Sequence, residues 1–290
     1  MYIKYLQFKK IWYNIINVKP EHGGGTSLLD KIIFKEMNKM KNFMLYKSII
    51  RIFIFSMIFF TMRFDINAFN GYTHKYITRS GLENICKFYK GEKESNVFSK
   101  ADENYWETII EYSVKPDEDE VEGAYKYHFY NFLTGQNFLN EKDSALIRLT
   151  SHFENAVKEY KKDNKKQSFQ ELGRSIHFME DLNTPVHTVY SSFKDAVLKF
   201  PMHVMFEKKC DEICDKVKSE TLKENMDYYE VNSLDAIGKS SSVLSENNFY
   251  GMEDKDNDFF YEVASNAILN AQDRVTGMLY KFFIQVHGNC

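Results

Sequence analysis

Four prolines in 290 residues leave little to interrupt a helix. Three of them, Pro116, Pro185 and Pro201, fall after residue 68 and near apparent segment ends. Between them the apolar residues recur at helical spacing. Residues 140 to 162, with Asn140 as N-cap and Leu146, Ile147, Leu149, Phe153 and Val157 apolar, read as one helix. Residues 167 to 182, about 191 to 220 and 258 to 286 read as others. Alternating strand patterns are nearly absent, so the expected class is all-α. The acidic run from Asp117 to Glu122 and the polar stretch from about Ser233 to Asp258 read as connections. Asp254, Asp256 and Asp258 have neither the Gly nor the closing Glu of a calcium loop, and read as a solvated acidic loop.

Charge divides the chain. The first 68 residues carry 11 Lys and Arg against four acidic residues, while the rest carries 27 against 37, a net of −10. The basic head also holds the most apolar run, Ile52 to Met62, preceded by Lys41 and Lys47 and followed by Ala68. A basic region, a short apolar region and a small residue are the order of a secretory signal peptide. The run falls short of the roughly 20 residues that a spanning helix requires. Residues 40–68 are therefore expected to be a cleaved signal peptide. Residues 1–39 are an upstream leader left out if translation starts at Met37, Met40 or Met44, and the exported protein is residues 69–290. Cys86, Cys210, Cys214 and Cys290 show no CxxC pair and read as structural or incidental.

Five of the eight histidines carry the chemistry. On a helix, His177 and Asp181 are four residues apart and project from one face, where both can reach one ion. Thr184-Pro185 ends that helix and sets His187 in the following turn, within reach of a second ion that Asp181 bridges. His203 and Glu207 repeat the spacing of four. His128 lies in Tyr125-Lys-Tyr-His-Phe-Tyr, 11 residues after Asp117, and His74 lies in Gly71-Tyr-Thr-His. Singly, each His is more often packed or exposed than ligating, and each His/acid pair is more often a solvated ion pair. Together they suit a multinuclear zinc site, whose nitrogen and oxygen donors they match.

His-x3-Asp-x5-His followed by His-x3-Glu, with an upstream Asp and His-Phe-aromatic, resembles the bacterial zinc-dependent phospholipase C family. That family includes the clostridial alpha-toxin catalytic domain and the cereolysin-type phosphatidylcholine phospholipase C. The likeness covers residues 69–290, and Asn270 to Phe282 resembles the family's last helix. It implies a single-domain, all-helical bundle, of the type shared with single-strand nucleases, holding three zinc ions. One zinc is then held by Asp117, His128, His177 and the bridging Asp181, and a second by His187, His203 and Glu207. The third is held by His74, Asp181 and the N-terminal residue Phe69. The family's mature N-terminus is Trp, ten or more residues before its first His; here Phe69 precedes His74 by five, a separation found in the related nucleases.

The resemblance also implies the activity. A zinc-activated water hydrolyses the glycerol-side phosphodiester of phosphatidylcholine-like lipids to diacylglycerol and a phosphorylated headgroup. Asp117 is ligand and general base, and Tyr125, three residues before His128, helps box a choline cation. A secreted, monomeric toxin or virulence factor acting at a membrane surface is expected. The chain ends without the calcium-dependent membrane-binding sandwich of the clostridial toxins, so weaker haemolysis than theirs is expected. One alternative is a single-strand nuclease of the same fold, which the net −10 body disfavours, since nucleases gain affinity from Lys and Arg on phosphates. Glu207 and the His128-Phe-Tyr context also favour the phospholipase, so no nucleic-acid partner is expected. The other is a non-catalytic lipid-binding protein with a vestigial site, against which the nearly complete ligand set argues.

Overall fold

The computed structural model describes residues 71–91, 100–119, 124–219, 226–249 and 257–288. The chain divides into Met1–Phe64 and Asp65–Cys290, and every described residue belongs to the second unit. The leader, the signal peptide and Phe69 lie outside the described residues. Among the described residues there is no strand, only an isolated antiparallel bridge between Asn131 and Gln136, and no helix is long and apolar enough to cross a membrane.

The helices are α1 (Gly71–Gly91), α2 (Lys100–Glu103), α3 (Trp106–Tyr112), α4 (Lys115–Asp119), α5 (Ala145–Lys161), α6 (Lys165–Leu182), α7 (Pro185–Thr188), α8 (Phe193–Ile213), α9 (Met226–Val231), α10 (Leu234–Phe249) and α11 (Asn257–His287). Short 3-10 turns cover Ala124–His128 and Cys214–Lys216. The 31-residue α11 supplies the spine. Its Ala264, Ala267, Ile268, Ala271, Val275, Met278, Leu279 and Phe282 are fully buried and recur every three or four residues, the stripe of a helix packed along one side. It packs against α1, α5, α6, α8, α9 and α10. α5 and α6 form the tightest pair, joined by three residues in which Asp163 takes a left-handed φ of 65°. A link that short makes the two helices antiparallel neighbours.

Several sequence expectations need correction. Asp117 to Asp119, expected in a connection, lie in α4, and Asp258, expected in a loop, lies in the first turn of α11. Asn140 does not cap a helix: it sits at φ 63° in a loop folded on Asn137, whose Nδ2 donates to the Asp143 carbonyl at 2.8 Å. The helix begins at Ala145, after Ser144. The polar stretch after Ser233 is a 16-residue helix, α10. Its buried face mixes Leu234, Ile237 and Phe249 with Gly238, Ser241, Ser242 and Ser245, and these small residues interrupt the apolar stripe while letting the helix approach closely. A Cβ at Gly238 would stand 2.7 Å from Leu146 Cδ1 and 3.0 Å from Leu149 Cδ2 and Leu182 Cδ1. Pro201 lies inside α8, exposed to solvent, and the helix continues because His203, Phe206, Glu207 and Cys210 beyond it are buried. Cys86, Cys210 and Cys214 are buried.

Candidate metal centre

The site is built around the C-terminal half of α6. Gly173 admits α3 so closely that a Cβ there would lie 2.5 Å from the Ile109 carbonyl oxygen and 2.7 Å from Tyr112 Cβ. That approach brings the Ser113 carbonyl to 2.8 Å from His177 Nδ1, one turn further along α6. An imidazole that donates from Nδ1 presents Nε2 as a lone pair. His177 Nε2 accordingly points inward, 2.9 Å from His128 Nδ1, 3.4 Å from Asp181 Oδ2 and 3.6 Å from Asp117 Oδ1.

Pro185 forces the chain to leave α6. Thr184 before it is extended, at φ −99° and ψ 111°, as a residue preceding proline must be. The turn restarts at once as α7, with Pro185 in its first position. His187 of α7 is laced to the segment after the 3-10 turn. Its Nδ1 donates to the His128 carbonyl at 2.9 Å, Tyr130 N donates to the His187 carbonyl at 3.0 Å, and Asn131 Nδ2 donates to the Thr188 carbonyl at 3.1 Å. One exchange of backbone bonds thus fixes both His128 and His187. Phe129 stacks flat on the His187 ring, centroids 4.4 Å apart and planes within 3°.

α8 contributes His203 and Glu207, with Nε2 and Oε1 2.6 Å apart. His203 Nε2 is 3.3 Å from His187 Nε2, and Glu207 Oε1 is 3.8 Å from the same atom. α1 contributes His74, stacked on His177 with centroids 4.2 Å apart, its Nε2 3.8 Å from Asp117 Oδ2. α4 contributes Asp117, whose Oδ1 is 3.7 Å from His128 Nδ1. Asp181 lies in the middle, with Oδ2 2.9 Å from His128 Nδ1 and Oδ1 3.9 Å from His187 Nδ1.

All eight of these expected ligands converge, and all but Asp117 are buried. Their donor atoms gather in three groups: His74, His177 and Asp181; Asp117, His128 and His177; and His187, His203 and Glu207. The last is the trio expected for one ion. Asp181 groups with His74 and His177, and the residue common to the first two groups is His177.

Tyr125 is partly buried and stacks on Phe138, centroids 5.9 Å apart. Sequence reasoning overlooked Glu180, fully buried on α6 and hydrogen-bonded to His74 Nδ1. Its signal was available: an acid three residues after His177 in an otherwise apolar run of Ile176, Phe178, Met179 and Leu182. The Phe129 platform also went unread.

Burial holds the imidazoles of His74, His177 and His187 well below the ordinary histidine range, and the neighbouring histidines push the same way. They are neutral near pH 7, the form that binds metal. Burial raises Glu207 to about 7 against the opposing pull of His203. His177 and His187 bring lone pairs to a space already faced by the Asp117, Asp181 and Glu207 oxygens. Acceptors crowded together in a buried space repel unless a cation lies among them, and nitrogen with carboxylate oxygen is the donor set of zinc. The residues therefore fit zinc.

The family model for zinc-dependent phospholipase C matches residues 73–248. A phospholipase C of Clostridium novyi is 26% identical over 201 residues, covering 60% of this chain and 48% of the relative. One from Paraclostridium bifermentans is 26% identical over 243 residues, covering 75% and 60%. The chain thus spans about half to three fifths of these curated relatives. Among solved structures, the alpha toxin from Clostridium absonum aligns with a TM-score of 0.65 and 25% identity, covering 75% of this chain and 64% of the toxin.

Proposed function

Because this chain belongs to the zinc-dependent phospholipase C family, we propose that it hydrolyses the glycerol-side phosphodiester of phosphatidylcholine-like lipids, outside the cell that makes it. The observation that carries the reading is the convergence of five histidines with Asp117, Asp181 and Glu207 in one largely buried cluster. Asp117, His128, His177 and Asp181 would hold one zinc, and His187, His203 and Glu207 a second. His74 and Asp181 would hold a third, together with the N-terminal residue, Phe69 if the signal is cut after Ala68. Zinc in such sites supplies Lewis acidity toward phosphodiester oxygens and lowers the pKa of a coordinated water toward neutrality.

The chain's own residues supply the rest. The Ser113 and His128 carbonyls orient two imidazoles before any ligand arrives, so little reorganisation accompanies binding. Asp117, whose side chain is 5% exposed and reaches toward His74, His128 and His177, would orient the attacking water and accept its proton. The water oxygen joins phosphorus, the bond from phosphorus to the glycerol oxygen breaks, and that oxygen leaves with a proton as the diacylglycerol hydroxyl. Tyr125 is the candidate for holding the choline cation.

The test sets egg-yolk lecithin beside single-stranded DNA, each with and without a zinc chelator. Release of diacylglycerol and phosphocholine, abolished by the chelator and restored by zinc, is the expected result. Cleavage of DNA with lecithin untouched would overturn it.

A further inference from the structure

Glu180 is fully buried next to Asp181, yet it is not among the residues whose donor atoms gather into the three groups. One of its carboxyl oxygens is hydrogen-bonded to His74 Nδ1. The other accepts from Thr78 Oγ1 at 2.9 Å. Thr78 lies one turn beyond His74 on α1, so α1 grips the α6 carboxylate at two points and leaves it no alternative orientation. His74 is thereby divided between two neighbours, with Nδ1 toward Glu180 and Nε2 toward Asp117.

The other inward-pointing imidazoles are fixed differently. His177 and His187 give their Nδ1 protons to backbone carbonyls, whereas His74 Nδ1 is paired with the side-chain carboxyl of Glu180. A carbonyl fixes a tautomer. A carboxylate fixes it and also makes the imidazole a stronger donor to a cation, which is why carboxylate, histidine and metal recur as a unit.

We infer that Glu180 is a positioning residue, holding His74 with Nε2 toward the cluster and strengthening its hold on the cation it would share with Asp181. The inference rests on the zinc reading of the site and not on the choice of substrate. Glu180 therefore controls retention of one ion, and the His187, His203 and Glu207 group retains its own without it.

Full-length wild type, Glu180→Gln, His74→Ala and the double variant are loaded with zinc and equilibrated against a series of zinc buffers. Zinc per chain is counted at each step, with no substrate present, so the outcome is independent of the phospholipase reading. Glu180→Gln is expected to lose one ion at about 10- to 100-fold higher free zinc than wild type and to keep the remainder. In the His74→Ala background the same substitution is expected to change nothing further. The inference is overturned if Glu180→Gln retains zinc as wild type does, loosens every ion equally, or acts as strongly without His74. If Glu180→Gln does not fold, Thr78→Val carries the test. Earlier loss of the same single ion supports the assignment, and unchanged retention overturns it. A wild-type chain that binds no zinc overturns both this and the zinc reading.

Discussion

Glu207 makes the site's pH dependence calculable. Burial lifts its pKa in the metal-free fold to about 7, against an ordinary value near 4.3. The folded chain keeps this proton where the unfolded chain has lost it. The group therefore stabilises the metal-free fold most below the unfolded pKa, and that contribution is lost as the pH rises through about 7. At about 1.4 kcal/mol per unit, the difference is about 3 to 4 kcal/mol. Zinc must displace the same proton. At pH 5.5 only about one Glu207 in 30 is ionised, so its contribution to zinc affinity falls about 30-fold relative to pH 8. Glu207→Gln removes the competing proton and isolates the effect. Zinc affinity of wild type and variant, measured by competition with a chelator of known affinity at pH 8, 7, 6 and 5.5, gives their ratio directly. The wild-type advantage should shrink about fivefold from pH 7 to 6 and about threefold more by pH 5.5. A Glu207 with an ordinary pKa would leave the ratio almost unchanged down to pH 5.5, and that result would refute the burial argument.

Three further outcomes follow from the geometry. Asp117→Asn should reduce lecithin turnover by at least about 100-fold, in the range of a lost general base, while zinc per chain falls much less; full turnover with zinc bound rules out the base role. Phe129→Ala removes the ring stacked on His187 from a site 2% exposed. Denaturant unfolding should show a loss of about 3 to 5 kcal/mol, with weaker zinc binding by the His187 group. Gly173→Ala should lower stability by about 1 to 3 kcal/mol, although alanine is the better helix former, because the added carbon meets the Ile109 carbonyl. Unchanged stability would mean that α3 can retreat from α6 without consequence.

The helical class was legible from local spacing, and so were five of the eight converging residues, whereas Asp117, His128 and His74 entered as ligands through the family resemblance. His177 with Asp181, and His203 with Glu207, share helix faces by the 3.6-residue period alone. Thr184-Pro185 announces the turn that delivers His187. What stayed hidden depends on contacts between distant segments. The α10 helix was concealed because Gly238 and three serines break up the apolar stripe of Leu234, Ile237 and Phe249, and the value of Gly238 lies in the leucines of α5 and α6 that it admits. Asn140 looks like a cap until Asn137 is seen folding the loop that ends at Asp143. Glu180 stood beside a recognised ligand, but its partners His74 and Thr78 lie more than 100 residues earlier, and nothing in its own neighbourhood names them.

The central claim is that the buried cluster holds zinc and that the loaded cluster breaks the phospholipid bond. Zinc titrated back into the metal-stripped chain, with bound metal and lecithin turnover read from the same samples, tests it most directly, with His177→Ala alongside because His177 belongs to two of the three donor groups. Turnover should be absent at zero zinc, rise with occupancy in wild type, and stay absent in His177→Ala at every zinc level that fills wild type. Turnover that survives stripping, or that His177→Ala retains, would contradict the account.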